Sequence, residues 1–234
     1  MKVKQFLYSH DNLSYVISHH KHAVIIDGGA VDDIVSYISD QGISQIFITN
    51  THSHFDHTIG NKQLLHATNA TYLDHTQFSD MDHIRLGDKQ LEIFQTPGHT
   101  QDSYTFVGDS FMITGDTLFN GTVGNCFSGN VMGFLSSLDR LTKRSPNTFI
   151  YAGHDYVKQA IKYAKKIEPT NIHLDRYLSS YSSHHVYSTL EIEYLINPFL
   201  RLNEPFIISL LEQNKLPIAT RVERFNALKS IEIW

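Results

Sequence analysis

Short stretches rich in β-branched and aromatic residues, each closed by a turn, fill the first two-thirds of the chain. Runs of about four to eight such residues, bounded by Gly, Pro, Asn or Asp, predict β-strands. The stretch Ile43–Thr49 is largely apolar, which is typical of a strand covered on both faces of its sheet. The predicted strands are Val3–Tyr8, Leu13–Ser18, Ala23–Ile26, Ile43–Thr49, Thr71–Leu73, Gln90–Gln95, Ser103–Val107, Ser110–Ile113 and Thr148–Tyr151.

Apolar residues at helical spacing occur between these strands. In Asp32–Gln41, for example, the apolar positions share one side and Gly42 ends the pattern. The predicted helices are Asp32–Gln41, His57–Ala67, Val131–Thr142, Tyr156–Ile167, Ile172–Tyr181, Thr189–Leu195 and Ser209–Gln213.

The character of the chain changes near residue 168. Beyond it the strand pattern fades, and short helical stretches are broken by Pro198, Pro205 and Pro217. Strands with interspersed helices predict an α/β fold in which two sheets are flanked by helices. We therefore expect a catalytic domain over residues 1–168 and a smaller helical domain over residues 169–234.

Composition narrows the class of protein. Of the 234 residues, 41% are hydrophobic and 18% are charged, which is ordinary for a globular protein. The formal net charge of −5 argues against a nucleic-acid binder, which normally has a basic face. Cys126 is the single cysteine, so no disulfide forms within the chain, and no sequence feature would activate it as a nucleophile. Without a signal-peptide pattern or a long apolar run, we expect a cytoplasmic protein.

Four metal-ligating side chains lie close together directly after the strand Ile43–Thr49. They are His52, His54, Asp56 and His57. In an extended segment His52 and His54 point to the same side, while Asp56 and His57 come where the chain turns into a helix. The cluster can therefore face two points a few ångströms apart, one for each of two metal ions.

Three further candidates each follow a predicted strand: His99 after Thr96-Pro97-Gly98, Asp116 after Ser110–Ile113, and His154 after Thr148–Tyr151. Imidazole and carboxylate ligands suit zinc, iron or manganese, and the absence of thiolates argues against a structural zinc knot. The remaining histidines have no such setting, and we interpret them as solvated or hydrogen-bonded. They are His10, His19, His20, His22, His66, His75, His83, His173, His184 and His185.

With these motifs, the sequence resembles the metallo-β-lactamase superfamily and, within it, the glyoxalase II (hydroxyacylglutathione hydrolase) family. The superfamily pattern is His-x-His-x-Asp-His followed by His, Asp and His. The narrower likeness is carried by Thr51–Asn61, Thr96–Thr100, Gly115–Phe119, Gly153–Tyr156, Ser188–Leu190 and Asn197–Arg201. The resemblance implies a four-layer αββα metallo-β-lactamase sandwich with a smaller C-terminal helical domain.

The same resemblance implies a ligand set. One metal would be held by His52, His54 and His99, and the other by Asp56, His57 and His154, with Asp116 bridging them. It implies hydrolysis of S-D-lactoylglutathione, or a related glutathione thioester, to D-lactate and glutathione by hydroxide that two metal ions activate. The residues with catalytic roles would be Asp56, His54 and Asp116. We expect two divalent ions, zinc first, with iron or manganese also compatible.

Substrate contacts implied by the resemblance are Tyr156, Asn125, Phe127, Arg201 and Lys229. The chain departs from the family here, because Asn125 and Phe127 stand where the family has Lys and Tyr. Near the C-terminus Lys229 stands for an Arg, and Glu232 replaces a Lys. Asp102 also replaces a usual glycine. These losses weaken glutathione binding more than hydrolysis.

Several alternatives remain open. A hydrolase of the same fold could act on another thioester, a lactone or a phosphodiester. Persulfide dioxygenases of this fold use a single iron, and the full set of seven ligands argues against that activity here. An inactive interaction module would have eroded ligands, and none is eroded. As partners we expect a small glutathione thioester, no nucleic acid and no membrane, with the chain a monomer.

Overall fold

Two β-sheets face each other in the computed structural model, which describes residues 1–231. The first sheet has the strand order β1-β2-β3-β4-β5, with β3 and β4 parallel. Its strands are β1 (Lys2–Tyr8), β2 (Asn12–His19), β3 (His22–Ile26), β4 (Gln45–Thr49) and β5 (Thr71–Tyr72).

The second sheet has the order β13-β12-β9-β8-β7-β6, with β9 and β12 parallel. Its strands are β6 (His83–Leu86), β7 (Lys89–Gln95), β8 (Tyr104–Val107), β9 (Phe111–Gly115), β12 (Phe149–Ala152) and β13 (Ser188–Thr189). Between β9 and β12 in the chain, the short strands β10 (Leu118–Phe119) and β11 (Thr122–Val123) form a separate two-stranded hairpin.

Helices pack around both sheets. They are α1 (Val31–Asp40), α2 (Phe55–Thr58), α3 (Asn61–Ala67), α4 (Val131–Leu141), α5 (Val157–Ile167), α6 (Ile172–Ser180), α7 (Leu190–Ile196), α8 (Pro205–Gln213) and α9 (Arg221–Ser230). None of them, within residues 1–231, has the length and apolar character needed to cross a bilayer.

Three hydrophobic clusters lie at the interfaces between four layers, two of sheet and two of helices. Between the sheets, Tyr15 and Val24 of the first pack with Ile93 and Phe106 of the second. A second cluster joins the outer face of the first sheet to α1 and α3, and a third joins the outer face of the second sheet to α4, α8 and α9. Burial of apolar surface at all three interfaces holds the layers together. The predicted αββα sandwich is therefore confirmed.

Several boundaries differ from those predicted. The helix expected over His57–Ala67 is two helices that are separated at Ile59 and Gly60. Gly60 packs closely on the backbone there, since a Cβ would lie 1.9 Å from the Gly28 carbonyl oxygen. Pro205 does not break a helix: it begins α8, where proline lacks an N–H that the first turn would leave unpaired. The prediction also missed β6, β10, β11, β13 and α9.

The segment after residue 168 packs tightly on the sandwich. Strand β13 pairs with β12 at the edge of the second sheet, and Phe225 of α9 packs edge-on against Phe134 of α4 with ring centroids 5.8 Å apart. This segment is largely helical, as expected. The division at residue 168 stays a prediction, because both parts share the same hydrophobic clusters.

Candidate metal centre

The seven predicted ligands meet at one edge of the sandwich. His52, His54, Asp56 and His57 lie in the loop after β4 and the short α2, while His99, Asp116 and His154 follow β7, β9 and β12. Because β4 and the parallel pair β9 and β12 present their carboxyl ends at this edge, the loops converge there. The structure therefore brings together side chains that span about a hundred positions of sequence.

Ligand atoms form two groups. In the first, His54 Nδ1 lies 2.9 Å from His52 Nε2 and 3.0 Å from His99 Nε2. In the second, His57 Nε2 lies 3.2 Å from His154 Nε2. Asp56 Oδ2 completes the second group at 3.6 Å from His57 Nε2 and 3.4 Å from His154 Nε2.

Asp116 lies between the two groups. Its Oδ2 is 3.5 Å from both His99 Nε2 and His154 Nε2, and its Oδ1 is 3.4 Å from His57 Nε2. This Oδ1 is buried and accepts no hydrogen bond from the described residues. A Cβ at Gly153 would lie 2.2 Å from it, so only glycine allows the β12 loop to approach so closely. A buried, unpaired carboxylate oxygen among imidazoles fits a cation.

Outer partners orient the imidazoles. Nδ1 of His57 lies 2.9 Å from Asp27 Oδ2, Nδ1 of His154 lies 2.9 Å from Asp11 Oδ1, and Nδ1 of His99 lies 2.9 Å from the carbonyl oxygen of Asn125. Since these oxygens only accept, each Nδ1 carries the proton and donates it. In the neutral form, the form that binds a cation, each imidazole then presents the lone pair of Nε2 to the centre, the arrangement that outer partners of metal-binding histidines impose.

Sequence reasoning missed Asp11 and Asp27. The signal for Asp27 was available, because it directly follows β3, the parallel neighbour of the strand that precedes the ligand cluster. The position of Asp11 in the turn between β1 and β2 depends on how that hairpin crosses the edge of the sandwich, which no local pattern records.

Burial and neighbouring charges shift the pKa values in opposite directions. Burial alone lowers the pKa of His57, but the Asp27 carboxylate more than offsets it and raises this pKa to about 9. Burial and the positive charge of His57 lower the pKa of His52 to about 2. Burial would raise the pKa of Asp116, yet the nearby imidazoles of His154, His57 and His52 hold it well below its usual range. The carboxylates thus favour positive charge at this centre.

A cavity of about 320 Å³ opens beside the centre. Tyr156, Asn125 and Lys229 line it, three of the five predicted substrate contacts. The Tyr156 ring stacks on His154 with centroids 4.9 Å apart, and Lys229 donates from Nζ to the carbonyl oxygen of Val123 at 3.1 Å and to Asn125 Oδ1 at 3.4 Å. This cavity therefore connects the second ligand group to a cationic side chain.

The other two predicted contacts lie elsewhere. Phe127 is 67% exposed, and its ring centroid is 5.1 Å from that of His99. Arg201 does not line the cavity; its two terminal nitrogens pair with the carboxylate of Glu168 instead, with Nη1 2.8 Å from Oε1. Arg201 thus fixes the end of α5 rather than facing the centre. Glu232 lies outside the described residues.

A hydrogen-bonded group links two of the ligand loops. Ser53, between two ligands, donates its hydroxyl to Asp102 Oδ2, and His75 Nε2 lies 3.1 Å from the same oxygen. His75 is 3% exposed, so sequence reasoning, which placed it among solvated or hydrogen-bonded histidines, missed its link to the ligand loops. Asp102 supplies the acceptor that makes this link.

Comparison with known proteins agrees with this arrangement. The family model described as metallo-beta-lactamase superfamily matches residues 10–77, and the model described as hydroxyacylglutathione hydrolase C-terminus matches residues 155–231. The structure of ETHE1 from Myxococcus xanthus superimposes with a TM-score of 0.72 at 21% identity, covering 100% of this chain and 92% of that one. At this identity the likeness shows the fold alone.

Two curated relatives are more informative. A hydroxyacylglutathione hydrolase of Methylobacillus flagellatus is 31% identical over 216 residues, which cover 85% of this chain and 86% of the relative. One of Psychromonas ingrahamii is 30% identical over 223 residues, or 87% of each chain. Since both parts of the chain match models of the same group of proteins, the chain belongs to the hydroxyacylglutathione hydrolase family of the metallo-β-lactamase superfamily.

Proposed function

We propose that this chain is a thioester hydrolase that converts S-D-lactoylglutathione, or a close glutathione thioester, to D-lactate and glutathione with two divalent cations in its centre. One observation carries the proposal: seven imidazole and carboxylate groups converge beside a cavity that holds a lysine, in a member of the hydroxyacylglutathione hydrolase family.

The residues present fit two cations. His52, His54 and His99 would hold one, Asp56, His57 and His154 the other, and Asp116 would bridge them. The buried and unpaired Oδ1 of Asp116 supports the bridging role. Zinc suits this nitrogen and oxygen set, and iron and manganese are compatible with it. When bound, a pair of such cations polarises a carbonyl oxygen and lowers the pKa of a water molecule.

Asp56 differs from the other ligands in its exposure. Its side chain is 46% exposed, whereas those of His57 and Asp116 are buried. The amide of Asn12 donates to its Oδ2 at 2.9 Å and so fixes the plane of the carboxylate. Asp56 can therefore accept a hydrogen bond from a water that enters the cleft and orient it toward a bound carbonyl carbon. A thiolate leaves readily, so the chain needs no strong general acid.

The cavity beside the centre can bind the thiol portion of the substrate. We assign the glutathione moiety to the space lined by Tyr156, Asn125 and Lys229, where the Lys229 ammonium attracts a carboxylate. The acyl group then lies over the first ligand group, where the exposed ring of Phe127 offers an apolar contact near His54 and His99.

One observation favours a second candidate, a hydrolase of another thioester, a lactone or a phosphodiester. Among the described residues that line the cavity, Lys229 is the one cation, since Asn125 stands where the family has a lysine. Glutathione carries two carboxylates, so a substrate whose thiol portion has fewer negative charges would lose less binding affinity from the absence of a second cation.

A substrate panel tests the proposal. On metal-replete protein we expect kcat/KM for S-D-lactoylglutathione to exceed that for acetyl-coenzyme A, a simple lactone and a phosphodiester. An Asp116→Asn variant should lose activity on every substrate, whereas Asp109→Asn, at an exposed remote carboxylate, should keep it. Equal or reversed rates in the panel would overturn the glutathione assignment while leaving the metal centre intact.

A further inference from the structure

A second group of metal-ligating side chains lies outside the centre. It consists of His19 and His20 at the turn between β2 and β3, and Asp88 at the turn between β6 and β7. His19 Nε2 is 2.7 Å from Asp88 Oδ1, and the rings of His19 and His20 are 4.2 Å apart at their centroids. One ligand atom from each residue lies within 4.8 Å of the others.

This group is well separated from the seven-residue centre. Strand β3 begins at His22, beside the group, and ends at Ile26, directly before the Asp27 that binds His57. At about 3.3 Å per residue, this strand alone separates the two places by roughly 16 Å. The group is therefore at the opposite edge of the sandwich, where no part of the proposed reaction takes place.

The backbone at the group has an unusual conformation for its sequence. His20 has a φ of 53°, in the left-handed region that hairpin turns normally fill with glycine or asparagine. A histidine there costs some conformational free energy, and the turn places its imidazole against that of His19. Partial burial of His19, whose side chain is 18% exposed, further limits its motion.

The chemistry of the group matches that of a transition-metal site. Two imidazoles and one carboxylate are the ligand types of zinc and its neighbours, with water free to complete the coordination. In a tetrahedral zinc site ligand atoms lie about 3.3 Å apart, since each is about 2.0 Å from the ion. The group needs only small side-chain rotations to reach this spacing.

We propose that His19, His20 and Asp88 form an additional binding site for a divalent transition-metal ion such as Zn²⁺. A bound ion ties the β2–β3 hairpin of the first sheet to the β6–β7 hairpin of the second. It thus cross-links the two sheets at the other end of β3 from the metal centre, and its binding to the folded state alone raises stability.

The test compares the protein, loaded at its main centre, with the variants His20→Ala and Asp88→Asn. Equilibrium dialysis against Zn²⁺ should find one more ion per chain in the wild type than in either variant, with equal thioester hydrolysis. Asp109→Asn, at another exposed turn carboxylate of the same sheet, serves as the matched control and should keep the ion.

Thermal unfolding gives a second readout. Adding Zn²⁺ to the loaded wild type should raise its Tm more than it raises that of His20→Ala or Asp88→Asn. Both readouts are differences between the wild type and a variant with the same main centre. They therefore do not depend on how many ions the main centre binds or on which substrate is cleaved. Equal ion counts and equal Tm shifts in the wild type and both variants would overturn the proposal.

Discussion

His57 and Asp27 form a fully buried pair, with Nδ1 of the imidazole 2.9 Å from Oδ2 of the carboxylate. Asp27 also accepts hydrogen bonds from the backbone N–H and the hydroxyl of Thr51, both at 2.7 Å. Both oxygens of the Asp27 carboxylate thus accept hydrogen bonds, Oδ1 from Thr51 and Oδ2 from Thr51 and His57. The pair holds the proton of His57 on Nδ1 and directs the lone pair of Nε2 into the centre.

Replacing Asp27 with Asn should weaken metal binding at the second group. An Asn amide that keeps the bond to Thr51 turns its NH₂ toward His57, which forces the imidazole proton onto Nε2. We expect affinity for the ion held by Asp56, His57 and His154 to fall about 10- to 100-fold, as for other outer partners. Competition with a chromophoric chelator measures it, with Asp109→Asn as the control. Wild-type affinity for both ions would contradict this role.

Replacing Asp102 with Gly should affect the first ligand group selectively. The change removes the acceptor shared by Ser53 and His75, so that His75 Nε2 keeps only the Ser53 hydroxyl, 3.2 Å away, as its neighbour in this link. Loss of a hydrogen bond to a charged group costs about 1.5–3 kcal/mol of stability. We expect a lower Tm and weaker binding of the ion at His52, His54 and His99.

Asp102→Asn is the matched variant, because its amide oxygen still accepts the Ser53 hydroxyl. It should lie between the wild type and Asp102→Gly in both Tm and metal affinity. If Asp102→Gly binds both ions as tightly as the wild type, the Ser53–Asp102–His75 link does not position the ligand loops.

Lys229 should make substrate binding dependent on pH. Burial lowers its pKa from 10.5 to about 8, so the free protein loses this positive charge as pH rises through 8. We expect KM for the glutathione thioester to rise above pH 8 while kcat follows the rest of the centre. Loss of one such contact costs on the order of 1 kcal/mol, or about fivefold in KM.

Lys229→Met provides the comparison for this effect, since it removes the ammonium, which lies 4.9 Å from the Phe199 ring centroid, and puts an unbranched apolar side chain beside that ring. Its KM should be higher than that of the wild type at pH 7, and the two values should converge above pH 8. A constant ratio of the two KM values across this range would rule out Lys229 as the titrating contact.

Glu193 should make folding stability fall with rising pH. It is completely buried in α7, where both carboxylate oxygens lie 3.0 Å from the N–H of Gly121, and burial raises its pKa from 4.5 to about 7. The folded state then holds a proton that the unfolded chain releases. The stabilisation from this proton is complete below pH 4.5 and is lost by pH 7, a difference of about 3 kcal/mol.

Urea unfolding of the wild type and Glu193→Gln at matched pH values measures this contribution. The difference in free energy of unfolding between the two proteins should change by that amount between pH 4.5 and 7, in favour of the variant at higher pH. A difference that is independent of pH would show that Glu193 does not titrate in this window.

The sequence predicts the ligands well because their position depends on local rules. His52, His54, Asp56 and His57 directly follow a strand that is recognisable by its apolar residues, and the ends of neighbouring parallel strands must meet at one edge. Long strands and amphipathic helices are likewise local patterns, so most of the sandwich is predictable.

Other features depend on packing between distant segments. The side chain of Arg201 pairs with Glu168, thirty-three positions earlier, although its motif predicts a substrate contact. The two-residue strands β10 and β11 carry too few residues for a periodic pattern, and α9 has no clear apolar face. The links of Asp27 to His57 and of His19 to Asp88 join turns that only the folded sheets bring together.

Anomalous diffraction from crystals of the metal-loaded protein is the most direct test of the central claim. We predict two strong peaks a few ångströms apart among His52, His54, Asp56, His57, His99, Asp116 and His154, with Asp116 between them. A single peak there, or none, in protein that hydrolyses the thioester at its full rate would contradict the account.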